Sequence, residues 1–303
     1  MTLRKKLLPT FTKPVSGQTA TCQLDLGKKY HIIWLIIGYD ATNTGKALGP
    51  ASTANEMIGE IRLLVNGKVQ RRVRGRELNL LNKLNGSQYG AKDSVDIAFG
   101  GALGATGYRV RLPIFLAEPW RKSNAEAALP GWNLAGPNVS SASIEVDFLT
   151  IDTPFISGWY EWSPADSGLG AITKWIRMTW GASGTSQDFN TLDKRDYYQS
   201  IHLFAPTGAY VRKAQLTADG VTIHDLIEFA DNEVLLLNRD MNPETLQSYD
   251  LIGPRYDLVL DADDPVNGAL LANGLQEFTL HVEYSAAASG NLVAIIQRTG
   301  PPE

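Results

Sequence analysis

The chain has 303 residues, of which 44% are hydrophobic and 20% charged, and a single cysteine, Cys22. That length suggests about two domains, and one cysteine excludes both an intramolecular disulfide and a cysteine-based metal site. The net charge of −4 hides an asymmetry: residues 1–150 carry 19 Lys and Arg against 11 Asp and Glu, giving +8, while residues 151–303 carry 9 against 21, giving −12.

The first stretch, MTLRKKLLPTFTKP, is basic and proline-punctuated. It lacks the apolar core of a secretory leader and reads as an extended arm over residues 1–17. The chain has no run of eighteen apolar residues, so no membrane-spanning helix is expected. Residues 19–26 alternate and read as a strand, and Gly27-Lys28-Lys29 is a turn. YHIIWLIIG, residues 30–38, is a continuous apolar run of the kind buried on both faces of a sheet. IRLLVNGKVQRRVRGRELNLLNKLNG follows at 61–86. Asn66-Gly67 supplies a hairpin turn that needs positive φ at both central residues. Leu78, Leu80, Leu81 and Leu84 then form a short helix closed by Asn85-Gly86.

Beyond it come a Gly-rich segment with a short strand at 94–99, a strand at 108–116, and a loop at 120–139 with a helical patch at 124–129. A closing strand at 143–151 ends the first half. The second half opens with strands at 155–162 and 172–180. A polar loop at 183–196 and a strand at 198–204 follow. VRKAQLTADGVTIHDLIEFADNE, 211–233, is a second hairpin, turning at Asp219-Gly220 and entering a helix at His224-Asp225. Strands are expected at 232–237, 255–260, 278–284 and 291–297.

The two turns lie 153 residues apart, half the chain. Around them the same order recurs: apolar strand, hairpin, short helix, long loop, strand, Asp/Glu-Pro, closing strand. The chain is therefore read as all-β: two tandem eight-stranded jelly rolls at 18–152 and 153–303, each with a short helix after its central hairpin.

On this plan, and on the segments GQTATCQLDLGKKYHII, IRLLVNGKVQRR and EFTLHVEYSA, the chain resembles the double jelly-roll major capsid proteins of tailless icosahedral double-stranded DNA phages. The similarity is to the corticovirus type, within the lineage of the adenovirus hexon. The resemblance implies a homotrimer presenting six rolls as a pseudo-hexamer, built in the host cytoplasm and placed in an icosahedral virion. It also implies other capsid proteins such as a penton as partners, an internal membrane beneath, no specific nucleic acid and no catalysis. The alternative reading is a duplicated β-sandwich, carbohydrate-binding or bicupin-like, although the His-rich metal motifs of bicupins are missing.

Charge suggests where subunits meet. The cluster Arg71, Arg72, Arg74 and Arg76 is expected to face acids of a neighbouring chain, either Asp188, Asp193 and Asp196 in the polar loop or Asp225, Glu228 and Asp231 on the second helix. Arg4, Lys5 and Lys6 on the arm suit phosphate, in a membrane or genome. Asp261, Asp263 and Asp264 could hold Ca²⁺, which takes oxygen ligands, and the resemblance supports a calcium-stabilised shell; no other cofactor is expected. His31, His202, His224 and His281 have no metal-ligand spacing and read as satisfied imidazoles. Trp159, Tyr160 and Trp162, with Trp175 and Trp180, read as core or interface packing rather than a sugar-stacking platform. No nucleophile elbow or phosphate-binding loop is present.

Overall fold

A computed structural model of the chain describes residues 3–39, 58–85, 97–98, 108–120, 130–149, 154–239, 241, 255–260 and 270–303. Contacts divide the chain into two units, Met1–Ile172 with Pro301–Glu303, and Thr173–Gly300.

The first unit contains β1 (Arg4–Leu7), β2 (Thr19–Gln23), β3 (Lys28–Tyr39), β4 (Ile58–Val65), β5 (Lys68–Arg74) and α1 (Gly75–Asn85). It continues with β6 (Ile97–Ala98), β7 (Tyr108–Phe115), β8 (Trp132–Leu134), β9 (Ala142–Phe148) and β10 (Pro154–Pro164). One sheet runs β1-β10-β3-β7-β6, with β8 also on β3; the other runs β5-β4-β9-β2. Alternation drives both. β9 buries Ala142, Ile144, Val146 and Phe148 and turns Ser143, Glu145 and Asp147 outward. β3 buries Ile33, Leu35 and Ile37 completely, while Ile32, Trp34 and Ile36 are only half-buried. Its continuous apolar run therefore serves one full core face, not two. Each fully buried aliphatic side chain contributes roughly 1.5–3 kcal/mol.

The second unit contains β11 (Ile172–Phe189), β12 (Tyr197–Phe204), β13 (Val211–Ala218), β14 (Val221–Glu228), α2 (Phe229–Leu237), β15 (Arg255–Val259), β16 (Leu270–Leu271) and β17 (Phe278–Gly300). One sheet runs β14-β13-β17-β11. In the other, β12 is flanked by β17 on one side and by β15 and β16 on the other. The first unit has the same graph, with β3 flanked by β10 and by β7 and β8. So β3 answers to β12, β7 to β15, β8 to β16, β4 to β13 and β5 to β14. The two units are tandem jelly rolls.

Shared hydrogen bonds make the repeat specific. Asn66 and Asp219 have φ of 51° and 46°, and Gly67 and Gly220 both have 77°, as a type I′ turn demands. Asn66 N donates to Ser141 O (2.9 Å), and Asp219 N to Glu277 O (3.0 Å). Asn66 Oδ1 accepts from Ser140 N (2.8 Å), and Asp219 Oδ1 from Glu277 N (2.7 Å) and Gln276 N (2.8 Å). Each helix also carries one buried asparagine that reaches a strand carbonyl: Asn82 Nδ2 to Pro113 O at 2.8 Å, and Asn232 Nδ2 to Asp257 O at 2.9 Å.

Several expectations are corrected. The first unit does not end at Asp152. β10 pairs with β3 from Pro154↔Tyr39 to Pro164↔Lys28, which carries the boundary to Ile172. The two units then hold 19 Lys and Arg against 15 Asp and Glu, +4, and 9 against 17, −8. Residues 4–7 are not a loose arm but an edge strand on β10. The second helix begins at Phe229, because residues 221–228 are held by the ladder to β13, which overrides their helical spacing. Residues 232–237 are accordingly helix, not strand. β11 continues through residues 183–189, where the polar sequence predicts a loop. β17 is one strand whose two halves serve two sheets, joined through the small residues at 286–290.

The paired asparagines generate a test. Asn82→Ala and Asn232→Ala each leave a buried carbonyl without its donor and should cost about 1–3 kcal/mol. A midpoint shift in urea for one but not the other would break the equivalence of the two rolls.

Candidate assembly surface

At the root of each roll an aspartate precedes the central strand by the same spacing, Asp25 before Tyr30 and Asp193 before Tyr198. Tyr30 Oη donates to Asp25 O (2.9 Å) and Tyr198 Oη to Asp193 O (2.5 Å). In the first roll the Asp25 carboxylate takes hydrogen bonds from Lys28, from Lys6 (2.7 Å) and from Tyr160 Oη (2.7 Å). These bonds, from Lys28 foremost, hold its carboxyl well below the usual range. In the second roll Asp193 meets Arg195 and Arg298, each at 2.6 Å, and its pKa falls to about 2 with Arg195 as the largest cause. Beside it, buried Lys174 binds Asp196 at 2.6 Å. The Asp-x4-Tyr spacing was readable in both halves; the cations that complete each cluster come from distant strands and were not.

The second roll also buries a Ser–His–Asp arrangement. His202 Nδ1 lies 2.6 Å from Asp257 Oδ1, and its Nε2 lies 2.8 Å from Ser200 Oγ. Ser200 in turn contacts Gln297 (3.1 Å), and Arg255 Nε donates to Asp257. Ser200 and His202 sit on one strand with β17 on one side and β15 on the other. At 3%, 1% and 1% exposure, Ser200, His202 and Asp257 lie beyond the reach of a substrate carbonyl. The group is a polar ladder across three strands, and through Asp257 O it anchors α2. In the first roll His31 Nε2 lies 2.8 Å from Ser163 Oγ, and burial pushes its pKa down to about 4. His224 and His281 also have partners, Tyr256 Oη (3.2 Å) and Asp188 (2.6 Å).

The expected interface residues are scattered. Arg71 is buried at 1% exposure; its guanidinium donates to Phe115 O and lies 5.5 Å from the Trp132 ring, and burial pulls its pKa down to about 9. It is not a surface group. Arg72 reaches Glu60 of its own sheet at 3.6 Å, and Arg74 is exposed on β5. Arg76 lies in the first turn of α1, and its side chain lies outside the described residues. Asp225 and Glu228 belong to β14 and only Asp231 to α2. Asp225 accepts from Gln215 (3.0 Å), and Glu228 pairs with Lys213 (3.2 Å). The edge strand β1 has every residue exposed. Arg4 lies over the Trp162 ring at 5.3 Å, and Lys5 over Trp159 at 5.2 Å. Trp159 stacks on Trp34, centroids 5.1 Å apart. Asp261, Asp263 and Asp264 lie outside the described residues, and among the described residues no His, Cys, Asp and Glu cluster could hold a metal.

Part of the acid behaviour follows from His31, with His224 shifted in the same direction by burial. The folded pKa of His31 lies below that of an unfolded histidine, so unfolding takes up a proton between the two. Its contribution is complete above pH 6.5 and is lost as the pH falls through about 4, in total on the order of 3 kcal/mol. Stability measured across that window should fall less steeply in His31→Gln; an unchanged slope would place the acid sensitivity elsewhere. Cys22, buried and pushed up to about 12, should resist thiol reagents at pH 8 until the chain unfolds.

Known structures share this fold. The major capsid protein P2 of bacteriophage PM2 superimposes with a TM-score of 0.76 over 100% of this chain and 98% of its own, at 15% identity. The STIV MCP, of Sulfolobus Turreted Icosahedral Virus, gives 0.66 over 99% and 96%, at 12% identity. The Faustovirus major capsid protein gives 0.62 over 99% and 89%, at 8% identity. At such identities these likenesses establish the fold alone. No curated protein matches the sequence. The family model for the viral coat protein P2 N-terminal domain matches residues 5–163, more than half of the chain and nearly all of its first roll. The chain therefore belongs to this family of viral coat proteins, and it is a structural protein of the virion capsid.

Proposed function

We propose that this coat protein assembles as a homotrimer whose six jelly rolls form a pseudo-hexagonal tile, and that such tiles, closed at the vertices by penton-type proteins, build the shell. The observation that supports it is the duplication itself. Two rolls with one strand order, one turn clamp and one helix anchor can each occupy a sixth of a ring while three chains supply all six places.

The same equivalence revises the expected charge pairing. β5 and β14 hold corresponding places in their rolls. Around a pseudo-six-fold ring, corresponding strands point the same way round, so they cannot face each other. Arg72 and Arg74 on β5 therefore do not meet Asp225 and Glu228 on β14, and each such side meets the opposite side of its neighbour. The +4 and −8 units still attract. Exposed pairs contribute only about 0–1 kcal/mol each, so apolar burial provides most of the affinity and charge sets the association rate and partner order.

The protein's role is structural, and the buried Ser200–His202–Asp257 group does no hydrolysis. A fluorophosphonate probe should leave the native protein unlabelled; labelling abolished by Ser200→Ala would revive an enzyme. Native mass tests assembly, since the chain is 33.1 kDa and the purified protein should run at three times that mass or as particles. Raising salt from about 0.05 to 0.5 M shortens the Debye length from roughly 14 to 4 Å. Trimer formation should slow while trimers already formed persist. A rate indifferent to salt would show that charge does not steer assembly.

A further inference from the structure

We propose that the β14–α2 side of the second roll docks on the β1–β2 side of the first roll of another copy of this chain. The inference rests on the coat-subunit reading and specifies its contact.

β14 ends its sheet, and among the described residues no strand pairs with its outer edge. Free strand edges in monomers are usually guarded by lysine or proline. β14, VTIHDLIE, has neither; it carries Asp225 and Glu228 and pairs irregularly with β13, yet it exposes Val221 (60%) and Ile223 (40%). The helix that follows exposes Val234, Leu235 and Leu237. Aliphatic side chains exposed on an unpaired edge strand and on the helix that follows it suit a contact. This side carries Asp225, Glu228, Asp231 and Glu233; of these Glu228 also pairs with Lys213 (3.2 Å) and Arg212 (3.9 Å) of β13, which leaves a net acidic side.

Among the described residues, the β1–β2 side of the first roll answers this chemistry. β1 and β2 are edge strands of different sheets, and the chain between them ties the two edges into one side. Leu8 N donates to Gly158 O (3.0 Å) beside β1, and Thr12 N to Thr21 O (2.9 Å) on β2. This side exposes Arg4, Lys5, Lys6 and Lys13, of which Lys6 is bonded to Asp25 and Lys5 lies 3.7 Å from Glu161, with Leu3, Leu7 (75%) and Val15 between them. Cations and apolar groups therefore face acids and apolar groups. The lysines of β1 repel a second β1, so the contact is between unlike edges, as a ring of like-oriented rolls requires.

The test uses full-length chains in a Cys22→Ala background, with Ile223→Cys in one and Leu7→Cys in the other. Mixed under mild oxidation, they should give disulfide-linked pairs about tenfold more than either alone, because docking raises the effective thiol concentration. Arg4→Glu with Lys5→Glu should weaken assembly about tenfold or more, and adding Asp225→Lys with Asp231→Lys in the same chain should restore part of it. Circular dichroism and melting confirm that each variant is folded, and the cross-link stands even if a reversal variant is not. Linkage of Ile223→Cys to itself or to Arg72→Cys, or no linkage in an assembled protein, overturns the docking. So does binding of anionic phosphatidylserine vesicles that is lost in Arg4→Glu with Lys5→Glu while assembly is unchanged; Arg4 and Lys5 would then serve a membrane. A wild-type chain that stays at monomer mass defeats the coat-subunit reading first, and the docking with it.

Discussion

Each roll depends on pinning its central hairpin to the strand that closes the sheet. A type I′ turn puts Asn66 or Asp219 in the left-handed region, which turns both its backbone N–H and its side-chain oxygen toward the incoming chain. That chain is thereby delivered in register to β9 or to the first half of β17. Register matters because a slip of one residue would turn every core side chain of these strands to solvent. Ile144 and Val146, like Leu280 and Val282, are fully buried only in the register that the clamp sets.

Buried polar groups then tie layers that apolar packing alone would leave free to slide. Asn82 and Asn232 each fix a helix over a strand. His202, Asp257 and Arg255 bridge β12 and β15, and Arg298 and Lys174 hold the carboxylates at the base of the second roll. These clusters resemble catalytic constellations in composition. They differ in access, since their strands are paired on both sides and their hydroxyls and rings face inward. Directional bonds of this kind favour one arrangement over near alternatives.

The two rolls differ in the chemistry of their edge strands. The first places cations on an edge strand, and the second places acids and aliphatic side chains on one. A duplicated fold can then distinguish its own two halves within an assembly, because like edges repel and unlike edges attract. The asymmetry is smaller than the midpoint of the sequence suggests. β10, with Glu161, and Asp166 after it belong to the first roll, so part of the negative charge sits there.

Hydrophobic alternation, two turn dipeptides and their separation by half the chain were enough to determine the all-β class, the duplication and the jelly-roll order. These are local signals, and local backbone preferences produce them. The tertiary structure decided what depends on pairing between distant segments. Residues 4–7 became a strand because β10 offers an edge. Residues 224–228 remained in a strand because β13 holds them. The boundary moved to Ile172 because β10 pairs with β3. Arg71 was legible as a charge but not as a buried one, since only the packing of Trp132 and Phe115 around it removes it from water. Burial and partners depend on the whole chain at once, whereas propensity depends on a few neighbours.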